Sequence, residues 1–189
     1  MILPIYLYGT DELRAVAAEA DLTKKEEISR LVADMDETMH HADGCGIAAP
    51  QVGQSLRILI VDGKDLTDVY EYLEGFKRVM INPVLLEESE EEAVFSEGCL
   101  SLPDIHLEVK RPARIKVRYY NENFEQVEEE FDRFACRMVQ HEMDHLDGRV
   151  FVDRVPPIRR KMMQGRLNGI ARGCVHTSYK TKSRKGKIR

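Results

Sequence analysis

His141-Glu142-Met143-Asp144-His145 is an HExxH sequence, and the chemistry it can do follows from helical geometry. Residues i and i+4 of a helix stand one above the other. Two imidazoles at that spacing can converge on one metal ion, while the glutamate between them lies beside the position left open. The alternative is a surface helix with two ordinary histidines. Phe134 and Met138, on the same helical face as His141 and His145, give the segment an apolar frame that favours a site.

A catalytic ion of this kind needs a third protein ligand and one open position for water. In the extended pattern that adds a third histidine, Gly148 stands in place but Phe151 occupies the histidine position. A downstream glutamate is excluded, because no acidic residue follows Asp153. The four cysteines, Cys45, Cys99, Cys136 and Cys174, are too few for a disulfide scaffold in 189 residues. Cys99 has the best setting, in Glu97-Gly98-Cys99-Leu100-Ser101-Leu102-Pro103, where Gly98 and Pro103 suggest a shaped loop rather than a strand centre. Cys45 and Cys136 suit inert core positions, and Cys174 is expected to be exposed. His40, His41, His106 and His176 have no spacing that recommends them as ligands.

These residues must be positioned by a scaffold. Thr23-Lys24-Lys25-Glu26 matches a capping box, and Ile28, Leu31, Val32, Met35 and Met39 follow at helical spacing, so a helix is expected over roughly 24–42. Arg57–Asp62, Val79–Glu87 and Arg114–Tyr120 read as strands, with Asn121–Asn123 turning the last back into Phe124–Phe131. A second helix is expected from about Asp132 to Leu146, stopped by Gly148, and a final basic helix from Pro157 to about Ala171. Residues 1–172 are expected to form one domain and 173–189, without periodicity, a basic tail open to disorder.

With 43% hydrophobic residues the chain can build a core, yet no stretch approaches the ~20 apolar residues of a membrane span. Met1–Gly9 lacks the features of a leader, so a cytoplasmic protein is expected. The net charge of −5 conceals an asymmetry: up to Asp153 the chain has 16 basic and 33 acidic residues, net −17, whereas Arg154–Arg189 has 12 basic and none acidic. Such a tail is either a solvated terminal helix with a loose end or a surface for a polyanion.

Gly44-Cys45-Gly46-Ile47-Ala48-Ala49-Pro50-Gln51, Glu97-Gly98-Cys99-Leu100-Ser101 and Gln140-His141-Glu142-Met143-Asp144-His145-Leu146 resemble, in order, the three motifs of peptide deformylases. The resemblance covers roughly Leu3–Phe151. It implies an α+β fold, with largely antiparallel sheets packed around the HExxH helix and a C-terminal helix. It makes Cys99, His141 and His145 the metal ligands and Glu142 the general acid/base. Gln51 and the N–H of Leu100 would hold the oxyanion, and backbone around Gly46 would bind the peptide. Iron(II) is the implied native ion, with zinc, nickel or cobalt able to replace it. The implied reaction removes the formyl group from the N-terminal methionine of new polypeptides. Phe95, Phe134 and Met138 are candidate walls for the methionine, with plain core packing as the alternative.

Cys45 and the longer stretch Gly63–Lys77 depart from the family's compact pattern. Arg111 is a candidate partner for Glu97, although a surface pairing explains it equally well. The rival functions are an HExxH endopeptidase and a structural metal or nucleic-acid-binding module. The chain is expected to be a monomer. Its basic C-terminal region is expected to hold it near the ribosomal tunnel exit without affecting turnover on a short formyl peptide.

Overall fold

The computed structural model describes residues 1–184; the rest of the expected tail, 185–189, lies outside the described residues. In chain order the elements are β1 (Ile5–Tyr6), α1 (Lys25–His41), β2 (Gly46–Ala48), β3 (Ile58–Asp62), β4 (Lys77–Glu88), β5 (Glu92–Cys99), β6 (Leu102–Pro112), β7 (Arg114–Tyr120), β8 (Gln126–Asp132), α2 (Arg133–Leu146), α3 (Pro157–Met162), α4 (Gln164–Ala171) and β9 (Thr181–Lys182). Five strands form an antiparallel sheet in the order β2-β3-β4-β7-β8. Strands β5 and β6 form a separate antiparallel hairpin, and β1 pairs in parallel with β9. This is the expected α+β architecture, with mainly antiparallel sheets around the HExxH helix α2.

Strand β3 sets the layering. All five of its residues are buried, and successive side chains of a strand point to opposite faces. Ile58 and Ile60 pack in one cluster with Ile28, Met35 and Met39 of α1, while Leu59 and Val61 pack in another with Cys136, Met138 and Val139 of α2. The sheet is therefore covered on both sides, and each fully buried aliphatic side chain contributes about 2 kcal/mol. A third cluster joins Leu102, Ile105 and Val109 of β6 to Val150–Val152 and to Leu167 and Ile170 of α4. Helix α2 ends up buried on almost every side, including Arg137, His141, Glu142, Asp144 and His145. Those polar groups must find their partners inside the protein.

Several local expectations are corrected. Thr23 does not cap α1: its N–H and hydroxyl both donate to Asp21 Oδ1, at 3.0 and 2.7 Å, a local turn that competes with capping. The segment around Cys99 is not a loop but the end of β5. The register shifts between Glu97↔Leu107 and Cys99↔Leu102, so Gly98 marks a bulge in a hairpin. Strand β4 tolerates Pro83 for a similar reason. It bulges between Ile81 and Val84, and the left-handed Asn82 (φ 52°) turns its side chain to bond the backbone of Ala20. The single C-terminal helix is two, α3 and α4, broken at Met163.

The tail, left open to disorder by the sequence, pairs with the body over its described part. From Gly173 through Arg184 it folds back on the body, where Ile5 N–H donates to Lys180 O and Leu7 N–H to Lys182 O, both at 2.8 Å. The exposed edge of β1 gives a segment without periodicity a backbone to pair with. Among the described residues no helix is long and apolar enough to cross a membrane.

Candidate metal centre

Two elements that share no strand pairing among the described residues supply the centre. Helix α2 brings His141 and His145 one turn apart, with ring centroids separated by 5.2 Å. The end of β5 brings Cys99, whose Sγ lies 3.4 Å from His145 Nε2. The donor atoms of Cys99, His141 and His145 all lie within 4.8 Å of one another. A four-coordinate ion with bonds of about 2.0–2.3 Å holds its donors roughly 3.3–3.8 Å apart, so this cluster fits a thiolate–bis-imidazole ligand set.

The cluster is held by buried charge. His141 Nδ1 donates to Glu97 Oε2 at 2.9 Å, which orients the ring and leaves Nε2 as the nitrogen available to the cluster. Glu97 also accepts Arg111 Nε and Nη2 at 2.7 and 2.9 Å and Arg137 Nη1 at 2.6 Å. Arg111 continues to Asp144 through Nη1 at 2.6 Å, and Arg154 Nε donates to the same carboxylate at 2.6 Å. Arg137 also donates to the carbonyls of Val109 and Ala93, both at 2.8 Å, stapling the hairpin to α2. Glu97, Arg111, Arg137 and Asp144 are all buried. The Glu97–Arg111 contact is thus an interior pair and not a surface one.

Burial alone would raise the pKa of Glu97, but its bonds from His141 and Arg111 outweigh this and hold it well below the usual carboxylate range. The histidines differ. Burial followed by the charge of His141 pushes His145 down to about 3, so its imidazole is neutral. For His141, burial is outweighed by Cys99 and Glu97, and its pKa rises. Burial pushes the Cys45 and Cys136 thiols up to about 11 and about 12, and neither belongs to the cluster formed by Cys99, His141 and His145.

Glu142 is buried beside the cluster, and its Oε2 has no hydrogen-bond partner among the described residues. Burial pushes its pKa up to about 7. Gly46 runs so close that a Cβ there would meet Glu142 Oε1 at 2.3 Å, so any side chain at this position would displace the carboxylate. Gln51 sits in the short 3-10 turn after β2. Its Oε1 accepts Ala48 N–H at 2.8 Å, which leaves Nε2 directed at Ser101 Oγ (3.2 Å) and Cys99 Sγ (3.5 Å). Leu100 lies in the turn between β5 and β6, where Tyr179 O–H donates to its carbonyl at 2.8 Å.

All seven site residues expected from the sequence therefore come together, and all but His145 line one cleft of about 470 Å³. Phe134 and Met138 also line it, whereas Phe95 stands behind, its ring 5.4 Å from that of Phe134. The Gly63–Lys77 stretch reaches the same wall: Tyr70 stacks on Phe134 at 4.6 Å, and the Tyr72 hydroxyl oxygen accepts the Phe134 N–H at 3.1 Å. Arg137, Asp144 and Tyr179 were not expected. The first two were legible only as charges on an otherwise buried helix, and nothing in the sequence marks Tyr179. Asp36, His40 and Asp62 also converge, but Lys77 Nζ, 2.6 Å from Asp36 and 3.6 Å from Asp62, already supplies their cation.

The family model described as polypeptide deformylase matches residues 2–161. The peptide deformylase of Prosthecochloris aestuarii is 45% identical over 181 residues, covering 95% of this chain and 94% of its own length. That of Cytophaga hutchinsonii is 38% identical, covering 96% and 97%. Among solved structures, Thermotoga maritima peptide deformylase matches with a TM-score of 0.74 and 40% identity, over 83% of this chain and 99% of its own. The class I type b enzyme of Acinetobacter baumannii with Met-Ala-Ser bound gives 0.75 and 37%, over 82% of this chain and 99% of its own.

Cys99→Ala leaves two of three protein donors, and the variant is expected to lose its metal, while Cys136→Ala keeps it; metal content by mass spectrometry decides. A second expectation concerns the metal-free protein, in which the Glu142 pKa is about 7 against 4.5 in the unfolded chain. Its ionisation costs the fold progressively more as pH rises between those values, on the order of 3 kcal/mol in full. Metal-free Glu142→Gln should therefore melt above metal-free wild type at about pH 8, with the gap closing below about pH 5. Equal melting temperatures at both pH values would contradict the burial argument.

Proposed function

Because this chain belongs to the polypeptide deformylase family and so removes the N-formyl group from newly made polypeptides, we propose that Cys99, His141 and His145 hold its divalent ion and that Glu142 carries the proton. The observation that carries this assignment is the convergence of the three donors beside a buried carboxylate with an unpartnered oxygen. A bound ion supplies a Lewis acid that polarises the formyl carbonyl and acidifies water. The mixed thiolate and imidazole set suits iron(II), proposed as the native ion, and also zinc, nickel or cobalt.

Glu142 takes a proton from the attacking water and delivers it to the departing amine, and an affinity near neutral pH suits both transfers. As charge develops on the formyl oxygen, the Gln51 amide and the Leu100 N–H are its proposed donors, each contributing on the order of 3 kcal/mol. The Ala48 bond to Gln51 Oε1 keeps the donating end of that amide turned toward the centre. The peptide backbone lies along Gly46, with the methionine side chain against Phe134 and Met138. The family match leaves the endopeptidase and structural-module alternatives without support.

We further propose that the protein is a cytoplasmic monomer and that exposed Lys161, Arg166 and Arg172 dock it on ribosomal RNA near the tunnel exit. Iron(II)-loaded protein, purified without oxygen, should release formate from formyl-Met-Ala-Ser; Glu142→Gln should keep its metal and turn over ~10²–10⁴ times more slowly. A wild type that releases no formate, or a Glu142→Gln variant with normal turnover, defeats these assignments. Ribosome co-sedimentation should fall steeply between about 50 and 200 mM salt and be lost when the three basic residues become glutamate. Sedimentation unaffected by that triple change ends the docking proposal.

A further inference from the structure

We propose that Tyr179 is a positioning residue of the deformylation site and that His176–Tyr179 forms one wall of the peptide cleft, an inference that rests on the function assigned above. The family match ends at residue 161, so this wall is built by chain outside it. His176, Thr177, Ser178 and Tyr179 line the same cleft as Glu142 and the cysteine turn. Tyr179 is half-buried, and its hydroxyl donates to the carbonyl of Leu100 at 2.8 Å.

The turn receiving that bond is crowded with function. Cys99 is the thiolate ligand, the Leu100 N–H is a proposed oxyanion donor, and Ser101 Oγ takes a bond from Gln51. Two bonds from distant parts of the chain pin the backbone here: Tyr8 N–H to Ser101 O at 2.9 Å, and Tyr179 O–H to Leu100 O. The segment that presents Tyr179 is itself fixed. Cys174 N–H bonds Gly169 O at 2.9 Å at its start, Thr177 Oγ1 donates to Tyr179 O at 2.8 Å, and β9 pairs with β1 at its end. Removing the phenol oxygen frees the peptide plane that follows Leu100, and with it the aim of the N–H that precedes it. Activity on short peptides therefore depends on the C-terminal segment, contrary to the expectation that this segment is dispensable for turnover.

The test uses the full-length, iron-loaded protein with formyl-Met-Ala-Ser. Tyr179→Phe keeps the ring and removes the donor; kcat should fall about tenfold, the worth of one hydrogen bond, with KM within about twofold. Metal content and melting temperature should match wild type. Ser178→Trp, at an exposed position that lines the cleft and makes no bond to the turn among the described residues, should raise KM several-fold and leave kcat in place. Unchanged kcat in Tyr179→Phe, or a fall accompanied by loss of metal or of thermal stability, overturns the positioning role. Unchanged KM in Ser178→Trp removes the segment from the cleft. An inactive wild type defeats the functional assignment itself, a result distinct from an active wild type with equally active variants.

Discussion

The carboxylate of Glu97, buried between two arginines and a histidine, is the constraint on which the rest of the centre depends. The residues proposed as metal ligands come from a helix and from a hairpin that shares no ladder with the main sheet among the described residues. Backbone pairing therefore cannot fix their spacing. Side-chain charge does so instead, since Glu97 stands two residues before Cys99 and bonds His141 directly. Such networks are expensive to desolvate, and removing one partner typically costs about 3–5 kcal/mol because a charge is left buried alone. Here each carboxylate is satisfied several times over, and Arg111 bridges Glu97 to Asp144 within the HExxH segment itself.

What the sequence made legible was whatever had a period or a motif. Helix α2, helix α1 and the sheet strands follow from apolar spacing, and the ligand set and Glu142 from the resemblance. What it concealed had physical causes. Gly98 and Pro103 look like loop punctuation, yet the glycine marks a bulge inside a long hairpin. Arg137 and Asp144 look like a solvated helix face, because burial of a charged residue depends on partners from distant strands. Tyr179 precedes a two-residue strand, too short to leave any pattern.

The two histidines show how one helix turn can hold unlike groups. His141 has a carboxylate behind it, whereas His145 Nδ1 is buried with no partner among the described residues. A ring backed by a carboxylate is the more basic donor, so His141 would be the stronger of the two imidazole donors to a bound ion. Gly46 adds a steric condition: the sheet edge can approach Glu142 only where it carries no side chain.

The pairing of β1 with β9 brings two distant stretches of the chain to one place. Tyr6 and Lys182 are 176 positions apart, yet Lys182 Nζ donates to the Tyr6 hydroxyl at 2.8 Å beside a ladder of two residues. Each stretch also sends one bond to the cysteine turn, from Tyr8 N–H to Ser101 O and from the Tyr179 hydroxyl to Leu100 O. The turn that carries Cys99 is thus clasped jointly by an early and a late segment of the chain.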